Sequence, residues 1–254
     1  MLKSIIKNVL PFGLVEWHNK NKYSQKKFKK EFFRVQKDLE DNGRFTCRWE
    51  DKYPCLTDNT ANTSFEPHYI YHPAWAARIL AATMPPNHVD ISSSLSFVTI
   101  ASAFVPIEFY DLRPAQLKLE NLTSRPADIL SLPFMDNSIT SLSCMHVVEH
   151  IGLGRYGDKH DPQGDIKAMK ELSRVVAPGG QLLFVVPVAE NAIIAYNAHR
   201  IYRYEDVICH FPDFSLKSFS LVTDDCNFLP NADPEIASKQ RWGCGCFHFV
   251  KPVQ

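Results

Sequence analysis

The segment Met145-His146-Val147-Val148-Glu149-His150 carries the pattern H-x-x-E-H. On a helix this spacing puts two imidazoles and a carboxylate on one face, an arrangement that holds zinc. Histidine beside glutamate also suits proton transfer near neutral pH, where imidazole titrates. Which chemistry applies depends on the local backbone. The run "ITSLSCMHVV" alternates as a buried strand does, so His146 is expected in extended chain. His146 and His150 then share no helical face, and the zinc geometry fails. The C-x-C pair Cys244 and Cys246 supplies only two of the four ligands a structural zinc needs, so no metal site is assigned.

Three acids stand where adjacent strands should end: Asp90, Asp111 and Asp128. A carboxylate at the end of a second strand can accept both hydroxyls of a ribose, and one after the third can accept from an exocyclic amine. That suits a nucleoside-bearing ligand. The chain has neither a P-loop lysine nor G-x-G-x-x-G in the first turn, which argues against ATP and NAD.

For a general base the candidates are His146, His150, His160 and His199. His150 is best placed, with Glu149 beside it, although each competes with a histidine simply satisfied by backbone. The polar loop "GLGRYGDKHDPQGD" offers Arg155, Tyr156, Asp158 and His160 to an acceptor. Its aspartates Asp158, Asp161 and Asp165 can bond sugar hydroxyls or a divalent ion, while Asp165 also suits the N-cap of the next helix. Arg155 either meets a phosphate-bearing acceptor or forms an internal ion pair. "NAHRIY" places Asn197, His199 and Arg200 on a further wall.

The elements that must position these groups follow a simple rhythm. "HPAWAARILAATMPP" reads as a helix opening at Pro73, "HVDIS" as a strand, "FVTIASAFVP" as a helix and "IEFYDLRP" as a strand ending at Asp111. "DIKAMKELSRVVAPGG" is an amphipathic helix, and "QLLFVVPV" is the continuous apolar run of a strand covered on both faces. This alternation predicts an α/β domain, a doubly wound, mostly parallel sheet, over residues 66–254. In such sheets the ligand lies beyond the carboxyl ends of the strands. Residues 1–65 read as a basic, partly helical extension, with "SQKKFKKEFFRVQKDLEDN" its clear helix and Phe28, Phe32, Phe33, Val35 and Leu39 its apolar stripe. In "WGCGCFHFV" the thiols are expected half-buried on a closing strand.

Composition narrows the class. Lys+Arg and Asp+Glu both number 28, so no global field draws the chain to nucleic acid. No apolar run is long enough for a membrane-spanning helix. The opening "MLKSIIKNVLPFGLVEW" reads as a short amphipathic helix stopped by Pro11, with weak peripheral membrane contact as its lesser reading. Seven scattered cysteines imply no disulfide framework, and reduced thiols in the cytoplasm are expected.

The ordered series "HVDISSSLSF", "EFYDLRP", "ADILSLPFMDNSITSLSCMHVVEHI" and "LSRVVAPGGQLLFVVPV" resembles the successive motifs of class I S-adenosylmethionine-dependent methyltransferases. The resemblance implies that S-adenosylmethionine is held by Asp90, Ser92, Ser94, Ser96, Asp111, Asp128 and Ile129, with His150, Glu149 and His146 nearest the reaction. In this chain serine occupies the three positions of the first turn (92, 94 and 96) where that family has glycine. "HVVEHIGLGRYGDKHDPQGD", "NAHRIY" and "WGCGCF" are similar to an uncharacterised branch encoded among bacterial surface-polysaccharide genes. That likeness implies methylation of a glycan or nucleotide-sugar acceptor in O-antigen or capsule assembly, beside other glycan-assembly enzymes. Two readings compete with it: a catalytically silent binding or scaffold protein of the same fold, and a zinc hydrolase built on H-x-x-E-H.

Overall fold

The computed structural model describes residues 12–40, 44–56 and 58–253. The chain forms two compact units that divide between Ser64 and Phe65. In the first, helix α1 (Phe12–Glu40) precedes a single 3₁₀ turn, Trp49–Asp51. Phe28, Phe32 and Phe33 surround Trp49, with the Phe33 ring stacked at 5.7 Å. Phe33 and Val35 remain exposed, so the stripe is only partly covered. The lead helix expected before Pro11 and the helix stop expected at Asn42-Gly43 lie outside the described residues.

The second unit opens with α2 (Pro67–Thr83), β1 (His88–Ile91), α3 (Leu95–Ala101), β2 (Ile107–Asp111), β3 (Leu122–Pro126) and β4 (Ile139–Met145). A 3₁₀ turn (Val148–His150), α4 (Gly164–Val175), β5 (Val176–Val188) and the ribbon β6 (Ile193–Ala195) and β7 (His199–Ile201) follow. The unit closes with α5 (Tyr204–Cys209), β8 (Ser215–Val222), β9 (Phe228–Leu229), α6 (Pro234–Ala237) and β10 (Gly243–Val250). The main sheet has the order β3-β2-β1-β4-β5-β10-β8-β9. Strands β1 to β5 are parallel, and β10 runs antiparallel between β5 and β8. This is the expected doubly wound, mostly parallel sheet. Among the described residues no helix is long and apolar enough to cross a membrane.

Both faces of the sheet are covered, which accounts for the continuous apolar run of β5. Leu182, Phe184 and Val186 join Met169, Leu172 and Val175 of α4 in one cluster. Leu183 and Val185 alternate to the other face, against Trp75 and Leu80 of α2 and Phe97 and Val98 of α3.

The second face also buries a polar chain. His248 Nε2 donates to Gln181 Oε1 at 3.0 Å, and Gln181 Nε2 donates to Ser141 Oγ at 3.0 Å. Ser141 donates to His88 Nδ1 at 2.7 Å, His88 Nε2 donates to Ser143 Oγ at 2.9 Å, and Ser143 donates to Asp90 Oδ2. Ser141, His88 and Ser143 each both give and accept, so burial leaves none of them unpaired. Burial holds the His88 imidazole down to about 3 and pushes the Asp90 carboxyl up to about 6, against the pull of Ser143 and Ser93.

These shifts predict an offset in acid. As pH falls below the ordinary His88 value of 6.5, the unfolded chain binds a proton that the folded chain refuses, and stability is lost. Between about 6 and 3.8 the folded chain instead binds a proton at Asp90 that the unfolded chain does not, and stability rises. Replacing His88 by glutamine removes only the first effect. Relative to wild type, the variant is expected to gain about 2–3 kcal/mol between about pH 6 and pH 4. Urea unfolding across that window is the check, and parallel profiles for the two proteins refute the assignment.

Four local expectations change. Helix α2 opens at Pro67, six residues before Pro73, because Glu66 caps it by accepting from His68 N–H at 3.3 Å, and Pro73 is accommodated inside. Either proline fits a first helical turn, and sequence alone chose the wrong one. His146 is not extended: it has φ 57°, in the left-handed region, and turns the chain sharply after β4. Cys244 and Cys246 are on the closing strand β10 as expected, but fully buried and not half-buried, because that strand lies inside the sheet between β5 and β8. Asp165 is not the N-cap of α4, a position held by Gln163; it accepts from Tyr202 Oη at 3.0 Å in the interior.

Candidate functional site

Beyond the carboxyl ends of β1, β2 and β4 lies a cavity of about 670 Å³. Its volume is in the range that takes a nucleoside-sized ligand. Asp111, the last residue of β2, lines it; Oδ1 accepts from Arg113 N–H at 2.7 Å, and Oδ2 has no partner among the described residues. Asp128, two residues past β3, also lines it, with Oδ1 accepting from Leu130 N–H at 2.9 Å and Oδ2 likewise unpartnered. Ile129 adds an apolar surface to the lining.

Asp90 does not join them. It is fully buried, and its two oxygens accept from Ser93 N–H and Ser143 Oγ. Three converging carboxylates were expected; two line the cavity, and the third ties the first turn to β4. Register explains this, because Asp90 and Ser143 are direct cross-strand partners.

The serine turn leaves the cavity open. Ser92 lines it with φ 57°, the conformation that glycine adopts most easily, and turns its hydroxyl away to Tyr110 O at 3.3 Å. Ser94 caps α3 by accepting from Phe97 N–H at 3.2 Å, and Ser96 is exposed on the first turn of that helix. Ser93, not singled out from sequence, accepts from Met145 N–H at 3.0 Å and so joins the turn to β4. The hydroxyls of Ser92 and Ser94 thus serve the protein, where sequence had them free to meet a ligand.

His146, His150, Tyr156 and Asp158 line the same cavity. His150 Nδ1 donates to Ala198 O at 2.8 Å, which leaves Nε2 as an unprotonated acceptor. Burial lowers the His150 pKa, outweighing the opposing pull of Glu149, so the ring is neutral at pH 7. Glu149 is buried behind the wall, with Oε1 2.8 Å from His146 Nδ1 and 3.9 Å from His150 Nε2. Desolvation pushes its carboxyl up to about 7. Asp158 shapes the loop, accepting from Gly152 N–H at 2.7 Å. Gly152 has φ 81°, and a Cβ there would collide with Asp161 O.

Asp161 also lines the cavity, paired with Lys167 at 2.6 Å; the remaining sequence candidates lie off its wall. Arg155 is exposed, bonding Ala198 O at 3.1 Å and covering the Tyr156 ring; His160 and Asn197 are exposed. His199 stacks on Trp242 at 5.6 Å. Arg200 is buried, donates to Ile151 O at 2.7 Å and sits 3.5 Å from Asp165, so it fastens the loop after β4 to the ribbon. The H-x-x-E-H string forms no helical metal face, because β4 ends at Met145 and His150 belongs to a 3₁₀ turn.

Two charged cavity residues escaped the sequence reading. Arg113 and Lys159 bring positive charge to its edge, and the Arg113 guanidinium lies 5.7 Å from the Tyr156 ring centre. Arg113 stands two residues past Asp111 in "YDLRP", a position that the sequence shows but does not orient.

Comparison with known proteins bears on the fold. Residues 134–220 match the family described as "Caenorhabditis protein of unknown function, DUF268". An uncharacterized protein of Methanocaldococcus jannaschii, MJ0638, is 28% identical over 132 residues, half of each chain; the present chain thus spans half the length of that curated relative. Among solved structures, MccD protein aligns with a TM-score of 0.52 at 15% identity, over 74% of this chain and all of that one. The N-methyltransferase NodS of Bradyrhizobium japonicum, solved with S-adenosyl-L-homocysteine, aligns at 0.50 and 15% identity over 85% and 98%. The [4+2]-cyclase SpnF aligns at 0.50 and 12% identity over 72% and 82%. The chain has the class I methyltransferase fold.

Proposed function

We propose that this chain binds S-adenosylmethionine in the cavity and transfers its methyl group to a hydroxyl of a sugar or nucleotide-sugar acceptor. One observation carries the reading: two carboxylates with free oxygens and a histidine with an unprotonated Nε2 wall the same hollow. The residues present fit the cofactor. Asp111 Oδ2 would accept from the ribose hydroxyls, Asp128 Oδ2 from the adenine amine, and Ile129 would cover the base. When bound, the cofactor supplies an electrophilic methyl group on a sulfonium centre.

The chain's own contribution is alignment and one proton transfer. His150, fixed in one tautomer by Ala198 O, takes the acceptor hydroxyl's proton at Nε2. Glu149, near 4 Å away, favours the imidazolium that results. Arg113 and Lys159 at the edge would attract a phosphate-bearing acceptor. Placement of the reaction in cytoplasmic assembly of a surface polysaccharide is supported by the resemblance in "HVVEHIGLGRYGDKHDPQGD" and "WGCGCF".

Calorimetric titration with S-adenosylmethionine tests the premise. Binding at micromolar levels is expected, weakened about 10- to 100-fold by Asp111→Ala, the loss of one charge-assisted contact. Absence of heat at millimolar cofactor sinks the reading and favours the silent binding protein.

A further inference from the structure

Neither the H-x-x-E-H string nor the C-x-C pair makes a metal site within its own segment, but the fold joins one residue from each with a third from α2. His68 of α2, His146 after β4 and Cys244 of β10 place one potential ligand atom each within 4.8 Å of one another. We propose that these three residues hold a divalent transition-metal ion of the zinc class.

The distances suit that geometry. A tetrahedral zinc with ordinary bond lengths separates a nitrogen and a sulfur ligand by about 3.5 Å. His146 Nε2 lies 3.4 Å from Cys244 Sγ. His146 is also oriented from behind: its Nδ1 is bonded to the Glu149 carboxylate at 2.8 Å. A carboxylate or carbonyl on the far nitrogen is how metal-bound histidines are held.

Two further atoms mark the spot. Among the described residues, the buried side-chain polar atoms without a partner are His72 Nε2 and Glu149 Oε2. Both belong to neighbours of His146: the His72 ring is 5.0 Å from its ring, and Glu149 bonds it. Buried polar groups normally find partners, so two orphans beside one imidazole point to a missing charge. A thiol donating to His146 pairs Cys244 and leaves both orphans unexplained. Tyr69 and Trp242 enclose the cluster, stacking on His146 and packing on His68 at 5.4 and 4.9 Å. The ion would therefore clamp α2 to the ends of β4 and β10, in the wall of the cavity that His146 also lines. This reverses the sequence expectation of no metal, and it rests on none of the cofactor argument.

The test reads metal, not methyl transfer. Protein stripped by chelator and titrated with Co(II) is expected to develop thiolate-to-cobalt charge-transfer absorption that saturates at about one equivalent. Untreated protein should contain about one zinc per chain. Cys244→Ser is expected to abolish the band, His68→Gln to weaken cobalt affinity at least about 10-fold, and Cys226→Ser, at an exposed thiol, to change neither. Circular dichroism establishes that each variant is folded; where Cys244→Ser does not fold, the wild-type band and His68→Gln decide. No charge-transfer band in folded wild-type protein at millimolar cobalt overturns the proposal, as does a band that survives Cys244→Ser in folded protein.

Discussion

Replacing His150 by alanine is expected to lower kcat by about 10²- to 10⁴-fold, the usual range for loss of a positioned general base. Affinity for S-adenosylmethionine should stay within about threefold, because the ribose and adenine contacts proposed for Asp111 and Asp128 do not involve His150. The pH profile gives a second readout. Burial lowers the His150 pKa below 6.5, so its neutral form persists into mild acid and wild-type activity should fall only below that value. The alanine variant should lose that limb. Methyl transfer from radiolabelled cofactor to nucleotide sugars measures both. A variant that keeps wild-type kcat, or keeps the acidic limb, removes His150 from the reaction.

Ser143→Ala is expected to have the largest effect on stability of any single-atom change in the sheet. The residue is fully buried; its hydroxyl accepts from His88 Nε2 at 2.9 Å and donates to Asp90. Removing that oxygen deletes almost no volume but leaves an imidazole N–H and one carboxylate oxygen without partners. Each unsatisfied buried group costs about 1–3 kcal/mol, giving about 2–4 kcal/mol for the pair after partial relaxation. The denaturant midpoint should fall with an unchanged m-value. Ser138→Ala, at an exposed hydroxyl that bonds only Met135 O, should cost far less. Equal losses for the two variants would mean that the polar chain does not operate as a connected unit.

The sheet was legible because its signals are local and repeat. Alternation along "ITSLSCM" and the unbroken apolar run of "QLLFVV" follow from which faces are covered, and that periodicity is written in consecutive residues. Asp111 could be placed at a strand end because the apolar pattern of "IEFY" stops there, and β2 ends at that residue. Asp128 lies two residues past β3, but that strand, Leu-Thr-Ser-Arg-Pro, has no apolar run to mark it in the sequence. The geometry of the site was less accessible. Asp90 occupies its expected strand, yet cross-strand register with Ser143 turns its carboxylate into the interior. Side-chain period states that it faces one side of the sheet; only the neighbouring strand determines what waits there. Arg200 likewise reads as a free cation in "NAHRIY", but the ribbon folds it onto Ile151 O and Asp165.

By itself, then, the amino-acid order determined the strands β1, β2, β4 and β5 with the helices that alternate with them, the parallel winding that follows, and an acid at the end of β2. Tertiary structure decided which acids reach the cavity and which histidine keeps a free nitrogen. It also decided that His146 and Cys244, 98 residues apart, meet at 3.4 Å. The reason is physical: local backbone preference and hydrophobic period act over a few residues, whereas burial, pairing and hydrogen-bond satisfaction depend on groups that meet only once the chain has closed on itself.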